Sequence, residues 1–96
     1  MIITRAFENG AYVAACNSVG DLAMSDGDSF ILGGKSVIVD PDGKIAAEAE
    51  VAGESIVYGD LDMDKVNDFR NRYFMMRDRR PDAYGVIATA TEDIPR

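Results

Sequence analysis

Residues 36–49 read Ser36-Val-Ile-Val-Asp-Pro-Asp-Gly-Lys-Ile-Ala-Ala-Glu-Ala49. Two largely apolar runs, Ser36–Asp40 and Lys44–Ala49, flank the tripeptide Pro41-Asp42-Gly43. Proline sets the first backbone dihedral of a tight turn, and Gly43 tolerates the positive φ that follows. The stretch therefore predicts a β-hairpin, and the other elements can be placed around it.

Two further apolar runs predict strands on either side of this hairpin. Tyr12–Cys16 is a continuous apolar run between Gly10 and Asn17, as expected of a strand covered on both faces. Ser55–Leu61 follows a turn at residues 52–54 and predicts the last strand of the sheet. Between the first strand and the hairpin, Ser18–Ser29 is small and polar with three aspartates, and predicts a long loop.

Helices are predicted near both ends of the chain. Residues 1–9 carry apolar side chains at positions 2, 3, 6 and 7, and Asn9-Gly10 is the usual helix stop. Asp62 can cap a second helix, whose apolar residues recur at spacings of three and four through Met76. Pro81 closes that region. Four strands with a helix at each end make one sheet and part of one helical layer, which leaves one sheet face uncovered.

The composition is that of one small globular unit. The 96 residues are 47% hydrophobic and 28% charged, which is too apolar for a disordered chain. The formal charge of −7 argues against binding to nucleic acid or an anionic membrane, since both require a basic face. No apolar run approaches membrane-spanning length, and the single cysteine fits a reducing, cytoplasmic location. Because the chain has no histidine, it cannot hold a Ser-His-Asp site or a His-ligated metal.

Three stretches, in their order and spacing, carry a family resemblance: Arg5-Ala-Phe-Glu-Asn-Gly-Ala-Tyr12, Gly33–Gly43 and Arg70–Gly85. Together they resemble the C-terminal part of the nitrilase, or carbon–nitrogen hydrolase, family, and most nearly its amidases for N-carbamoyl amino acids and related ureido compounds. The resemblance implies an α/β fold: the C-terminal portion of an α-β-β-α sandwich, with about four strands and a helix near each end. Residues 1–96 would then form a single incomplete domain, with residues 86–96 as an extended tail.

The resemblance also implies a mechanism. The family uses a glutamate, a lysine and a cysteine in that chain order. The cysteine attacks an amide, carbamoyl or nitrile carbon, the glutamate moves the proton, and the lysine stabilises the oxyanion. Glu8, Cys16 and Lys35 stand here in the wrong order, and the family's nucleophile lies upstream of the first stretch. We therefore expect no catalytic residue in this chain.

The remaining reactive groups have simpler interpretations. Cys16 lies in an apolar strand and is predicted to be a small core residue, and Lys35 is predicted to point to solvent. No cofactor and no metal are expected. The aspartates at positions 60, 62 and 64 are spaced as in a calcium loop, but the glycine and glutamate that such a loop needs are missing.

Three residues are candidates for contact with the site. Arg5 and Glu8 match the family's Arg-Ala-x-Glu-Asn helix and, three residues apart, can pair on one helix face. They either support the missing site or form a structural ion pair between helices, and the structural role is the favoured one. Asn17, at a strand end, matches a position where the family often has an asparagine near the substrate pocket. A plain turn residue is the equal alternative.

Half of the positive charge falls between residues 70 and 80. This arginine-rich segment, with nearby aromatic residues, suits a protein interface better than a nucleic-acid site, because Asp68, Asp78 and Asp82 interleave with the arginines. The interface candidates are Arg70, Tyr73, Phe74, Arg79, Arg80 and Tyr84.

Two functions follow as expectations. In the first, the chain is the C-terminal segment of a carbon–nitrogen hydrolase, inactive alone because the catalytic trio is elsewhere, and dependent on an N-terminal complement. In the second, it is a non-catalytic module that forms homo-oligomers and thereby covers its own bare sheet. A small amide or carbamoyl substrate is expected only for the complete enzyme.

Overall fold

The computed structural model describes residues 1–49 and 53–89. Within these residues one helix is followed by five short strands and then by helical elements. The bounds, in chain order, are α1 (Ile2–Asn9), β1 (Val13–Ala15), β2 (Val19–Ala23), β3 (Ser29–Gly33), β4 (Val37–Val39), β5 (Ile45–Glu48), α2 (Met63–Arg72), a 3₁₀ turn (Pro81–Ala83) and α3 (Gly85–Ala88). The predicted α/β class is confirmed.

Strands β1, β4 and β5 form an antiparallel sheet in the order β1-β4-β5. Val39 lies opposite both Val13 and Ile45, so these side chains share one face, while Ile38 and its neighbours point to the other. The turn between β4 and β5 is closed by the Gly43 N–H, which donates to the Asp40 carbonyl at 2.9 Å, and Gly43 has a φ of 79°. The hairpin predicted from residues 36–49 is confirmed.

The long loop predicted over Ser18–Ser29 is wrong. Strand β2 occupies Val19–Ala23 and pairs with β3 in a separate two-stranded antiparallel sheet, with Asp21 opposite Ile31. Only residues 24–28 form the connecting turn, closed by a 2.7 Å bond from the Met24 N–H to the Asp28 carbonyl. Glycine and aspartate hide the alternation of β2, and its strand conformation depends on pairing with the more apolar β3.

The strand predicted over Ser55–Leu61 is also wrong. These residues belong to no helix and pair with no strand in the described part of the chain. A Cβ placed on Gly59 would lie 2.8 Å from Ile38 Cδ1, so the segment crosses the Ile38 face of the sheet instead of extending its edge. An apolar run indicates contact with a sheet, but it does not distinguish edge pairing from packing on a face. Residue 52 of the predicted turn lies outside the described residues.

Helix α1 covers the opposite face of the sheet, where it packs on β1 and β4. It ends where predicted, at Gly10, whose φ is 55° and whose N–H bonds the Phe7 carbonyl at 3.1 Å. Helix α2 begins at the predicted cap, since the Asp62 carboxylate accepts from the Asp64 N–H at 3.0 Å. It ends at Arg72, four residues before Met76, because Tyr73 adopts an extended backbone (φ −118°, ψ 107°).

Three aromatic rings join α1 to α2. The Phe7 and Phe69 ring centroids are 5.3 Å apart in an edge-to-face arrangement, and the Tyr73 ring lies 4.8 Å from Phe69. Phe69 is buried, as are Ala6 of α1 and Val39 of the sheet. Gly10 fits against this cluster, because a Cβ there would stand 2.9 Å from Phe69 Cδ1. The core of the chain lies at this junction of helices and sheet.

The end of the described chain is partly helical. Residues Gly85–Ala88 form one turn, α3, and Thr89 Oγ1 donates to the Gly85 carbonyl at 3.0 Å. An extended tail from residue 86 is therefore wrong for its first residues, since the preceding 3₁₀ turn leads directly into helical backbone. The rest of that predicted tail, residues 90–96, lies outside the described residues.

The chain is thin and open. Its radius of gyration is 18.8 Å and its extents are 51 × 44 × 14 Å, whereas a compact domain of this length has a radius near 12–13 Å. Its accessible surface is 7988 Å², against about 5,400 Å² for a compact monomer of this mass. Large apolar side chains such as Ile31 and Tyr58 are more than 80% exposed. No helix in residues 1–49 or 53–89 is long and apolar enough to cross a membrane.

Candidate functional site

A polar cleft of about 260 Å³ lies where β1 ends and β4 begins. The base of the β2–β3 hairpin forms one wall, and the chain just after residue 52 forms the other. Its lining consists of Asn17, Ser18, Val19, Lys35, Ser36, Ala49, Gly53, Glu54 and Ser55. The cleft thus brings together hydroxyl, amide, ammonium and carboxylate groups from three separate segments, and it contains the predicted substrate-lining candidate.

Asn17 takes part in three hydrogen bonds, two between its side-chain amide and the backbone and one from its own N–H to a side chain. Its Nδ2 donates to the Gly34 carbonyl at 2.6 Å, and its Oδ1 accepts from the Ser18 N–H at 2.9 Å. Its own N–H donates to Ser36 Oγ at 3.0 Å. The side-chain amide retains one N–H and one lone pair for a ligand. Asn17 therefore holds the two ends of the hairpin together, and contact with substrate stays a prediction.

Lys35 joins the hairpin to β4 through an unusual backbone. It has a φ of 59°, directly after Gly34 with a φ of 60°. Left-handed backbone costs a lysine on the order of 1 kcal/mol and persists where the surroundings fix it. Two hydrogen bonds supply that restraint, because Asn17 Nδ2 donates to the Gly34 carbonyl and the Gly34 N–H donates to the Ser18 carbonyl. Lys35 is exposed, as predicted, at the rim of the cleft.

Cys16 is exposed, so its prediction as a core residue is wrong. It follows the last residue of β1 and lines a groove with Ile38, Ile56 and Val57. The apolar run in the sequence does not show where β1 ends. In the structure β1 ends at Ala15, one residue before Cys16.

Glu8, Cys16 and Lys35 do not form a common site. Glu8 lies on α1, where its Oε1 accepts from Arg5 Nη1 at 2.6 Å. Cys16 faces the groove on the other side of the sheet, and Lys35 faces the polar cleft. Within the described chain, no group of three or more acidic, Cys or His side chains could hold a metal ion.

The Arg5–Glu8 pair predicted from the sequence is formed. Both side chains are substantially exposed, at 67% and 40%. A surface pair of this kind contributes at most about 1 kcal/mol to stability. The ion pair itself is therefore a local feature of the α1 surface, and support of a catalytic site by these residues stays a prediction.

The most buried charged group was not predicted from the sequence. The Asp40 carboxylate accepts a hydrogen bond from the Lys65 ammonium, and the N–H groups of Asp42 and Lys44 donate to it at 3.0 Å each. Burial by itself would raise the pKa of Asp40, but these bonds outweigh it and hold the pKa below its ordinary value. The bond to Asp40 raises the pKa of Lys65. The cluster ties the β4–β5 turn to the first turn of α2.

Two of the interface candidates take part in packing within the chain. Arg70 Nε donates to the Gly10 carbonyl at 3.1 Å, and Arg70 Nη2 to the Asn9 carbonyl at 3.4 Å. The arginine thus satisfies carbonyls at the C-terminal end of α1, where a positive charge is favoured. Tyr73 packs in the aromatic cluster and is 43% exposed.

The other interface candidates lie at the surface. Phe74 is 42% exposed and carries the Arg77 guanidinium 3.7 Å from its ring centroid. Arg79 Nε donates to the Met76 carbonyl, and Arg80 forms a two-point pair with Asp82, in which Nη2 lies 2.7 Å from Oδ2. Tyr84 is about half exposed. These contacts pre-arrange the segment, and its role as an interface stays a prediction.

Several known proteins are similar to this chain in sequence. The family model described as Carbon-nitrogen hydrolase matches residues 1–71. An omega-amidase of Saccharomyces cerevisiae is 38% identical over 84 residues, which are 88% of this chain and 27% of that protein. An omega-amidase of Homo sapiens is 35% identical over 83 residues, which are 86% of this chain and 28% of that protein. An N-carbamoylputrescine amidase of Arabidopsis thaliana is 39% identical over 58% of this chain and 19% of its own length.

A solved structure is also similar to this chain. The crystal structure of a carbon–nitrogen hydrolase from Helicobacter pylori G27 superposes with a TM-score of 0.82 at 28% identity. The superposition covers 91% of this chain and 30% of that chain. The chain therefore spans less than a third of the length of each of these proteins.

Proposed function

We propose, from the premise that this chain belongs to the carbon–nitrogen hydrolase family, that it is the C-terminal part of a hydrolase of amide or carbamoyl C–N bonds. The observation that carries the proposal is the extent of the match: most of this chain corresponds to 27% of a yeast omega-amidase. Catalysis that needs a complete hydrolase fold would then also require the larger portion of the hydrolase that has no counterpart in this chain.

The chain alone is proposed to be inactive. The Glu-Lys-Cys mechanism requires the three groups around one carbon atom, with base and nucleophile within hydrogen-bond reach. Glu8, Cys16 and Lys35 lie on three different features, and Glu8 is engaged by Arg5. The reacting groups would therefore come from an N-terminal complement.

The polar cleft is the part of the substrate site that this chain would contribute. Asn17 and Ser36 place amide and hydroxyl groups on its wall, which suits a small polar amide or a carbamoyl compound. The relatives named omega-amidase and N-carbamoylputrescine amidase fit the same substrate class. No cofactor is required by such hydrolysis, since water and a thiol suffice.

The partner is proposed to be the complementary portion of the hydrolase, in the same chain or in a separate one, in a reducing cytoplasm that keeps the single thiol free. The accessible surface of 7988 Å² exceeds that of a compact monomer by roughly 2,600 Å², which supports a partner that covers more than one face. Burial of about 800 Å² on each side is typical of an ordinary protein interface. Self-association through the arginine-rich segment is the alternative.

Ammonia release from carbamoyl amino acids and simple ω-amides tests the proposal. The chain is assayed alone, and then with the portion of the yeast omega-amidase that has no counterpart in it. We expect turnover only in the mixture. The Cys16→Ser variant is the matched control and should support the same rate as the parent chain. Turnover by the purified chain alone, abolished by Cys16→Ser, would refute the proposal.

A further inference from the structure

The β2–β3 hairpin stands apart from the rest of the chain. Within residues 1–49 and 53–89, its two strands pack extensively only on each other, and most of their residues are exposed. A two-stranded hairpin is marginally stable in water unless it packs on another surface. We therefore expect the hairpin to pack on a partner surface.

The two faces of the hairpin differ in character. The register places Leu22 opposite Phe30 and Gly20 opposite Leu32, so these residues share one wholly apolar face. The opposite face includes Asp21, which lies across from Ile31. Leu22 and Phe30 are 49% and 57% exposed. The face formed by Gly20, Leu22, Phe30 and Leu32, called here the apolar face, is thus continuous, and all of it except the partly buried Leu32 is exposed.

The hairpin is also held firmly at both ends. At its base the Gly34 N–H donates to the Ser18 carbonyl at 3.0 Å, and Asn17 Nδ2 donates to the Gly34 carbonyl. At its tip the Asp26 carboxylate accepts from the Asp28 N–H at 3.0 Å. A surface fixed in this way loses little conformational entropy on docking. Because the base also forms a wall of the polar cleft, docking would bring the partner to the cleft.

We propose that the apolar face docks on the portion of the hydrolase that has no counterpart in this chain. The inference rests on the proposed function. Its first support is length, because about 70% of the Helicobacter pylori chain is left unmatched and is available to cover the hairpin.

Charge distinguishes this partner from a second copy. The hairpin carries Asp21, Asp26 and Asp28, and no lysine or arginine occurs between residues 17 and 34. Two copies, each with a formal charge of −7, repel one another at this acidic arm. A complement whose apolar patch is flanked by basic side chains would attract this acidic arm instead of repelling it.

Photo-crosslinking tests the docking with neighbouring positions on opposite faces. Benzoylphenylalanine is placed at position 30 or at position 31 of the full chain, and each protein is irradiated with the unmatched portion of the yeast omega-amidase. We expect position 30 to crosslink to that portion at least fivefold more than position 31. Equal crosslinking, crosslinking to a second copy of this chain, or no crosslink from position 30 would overturn the inference.

Affinity gives a second measurement that does not depend on crosslinking. Loss of a large buried apolar side chain should weaken binding of the same portion by roughly tenfold to a hundredfold for Phe30→Ser. Ile31→Ser, on the other face, should change the affinity by no more than about twofold. Circular dichroism confirms that both variants keep the parent fold. Equal affinities would overturn the inference.

The failure of this inference is distinguishable from failure of the proposed function. A complex that docks through position 30 but releases no ammonia from any amide would refute the proposed function and leave the docking surface intact. A complex that turns over substrate while the two variants bind equally well would refute the docking surface alone.

Discussion

Gly10→Ala should destabilise the chain through two separable effects. Gly10 ends α1 with a φ of 55°, a conformation that costs alanine on the order of 1 kcal/mol. The new Cβ would also stand 2.9 Å from Cδ1 and 3.2 Å from Cε1 of Phe69. Because Phe69 is 4% exposed and packed between two other rings, it cannot move aside freely. Overpacking of this kind costs about 1–3 kcal/mol, so the total loss should be about 2–4 kcal/mol.

A double-mutant cycle separates the two effects. Phe69→Val removes the Cδ1 and Cε1 atoms and leaves Arg70 Cγ, on a flexible side chain, as the one close atom at 3.2 Å. Gly10→Ala in that background should therefore cost little more than the backbone effect of about 1 kcal/mol. Gly27→Ala is the control: its φ is 95°, and no atom lies within 4 Å of the added Cβ. It should cost about 1 kcal/mol in both backgrounds. Urea unfolding followed by circular dichroism gives the free energies. An equal cost for Gly10→Ala with and without Phe69 would refute the close contact.

Three further predictions concern charged and reactive groups. The pKa of Asp40 is held below its ordinary value by the Lys65 ammonium, so its contribution to stability is present above about pH 4 and lost as the pH falls. Asp40→Asn should flatten that acid limb in pH-dependent unfolding, and an unchanged limb would contradict the prediction. Arg70→Met should cost about 1–2 kcal/mol in urea unfolding by freeing carbonyls of α1, whereas Arg72→Met, with no such bond in the described structure, should cost less than about 0.5 kcal/mol. Cys16 should react stoichiometrically with a disulfide reagent in the native chain because it is exposed, and a protected thiol would contradict its position.

The sequence predicts best where local chemistry determines the conformation. The hairpin at residues 36–49 forms because proline and glycine fix its turn, whatever surrounds it. Helix α1 ends at Gly10 and α2 begins at Asp62 for similarly local reasons, a left-handed stop and a side-chain cap. The positions of these elements can therefore be predicted without knowledge of the tertiary structure.

Prediction failed where the conformation depends on a partner segment. Val19–Ala23 becomes a strand by pairing with β3, although its own residues are typical of a loop. Ser55–Leu61 has the composition of a strand but crosses the sheet face instead of joining its edge. Cys16 lies one residue past the end of β1, a boundary that composition does not mark. Asn17, a candidate from its place at a strand end and from the family resemblance, lines the cleft, and its contact with substrate stays a prediction. The Asp40–Lys65 bond, which lies outside the cleft, could not be predicted because it joins residues 25 positions apart.

The short length of α1 and the position of the segment around Gly59 determine which parts of the sheet are covered and which are exposed. Helix α1 is eight residues long, or about 12 Å, and it packs on β1 and β4 while Ile45 of β5 stays half exposed. On the other face, the segment around Gly59 covers Ile38 and leaves Ile56 and Tyr58 exposed. Each exposed side chain of this size forgoes about 1.5–3 kcal/mol of burial, and several of them together match the whole stability of a small domain. These elements already fill the 14 Å thickness of the chain, so the remaining open surface can be covered only by atoms from outside the described residues.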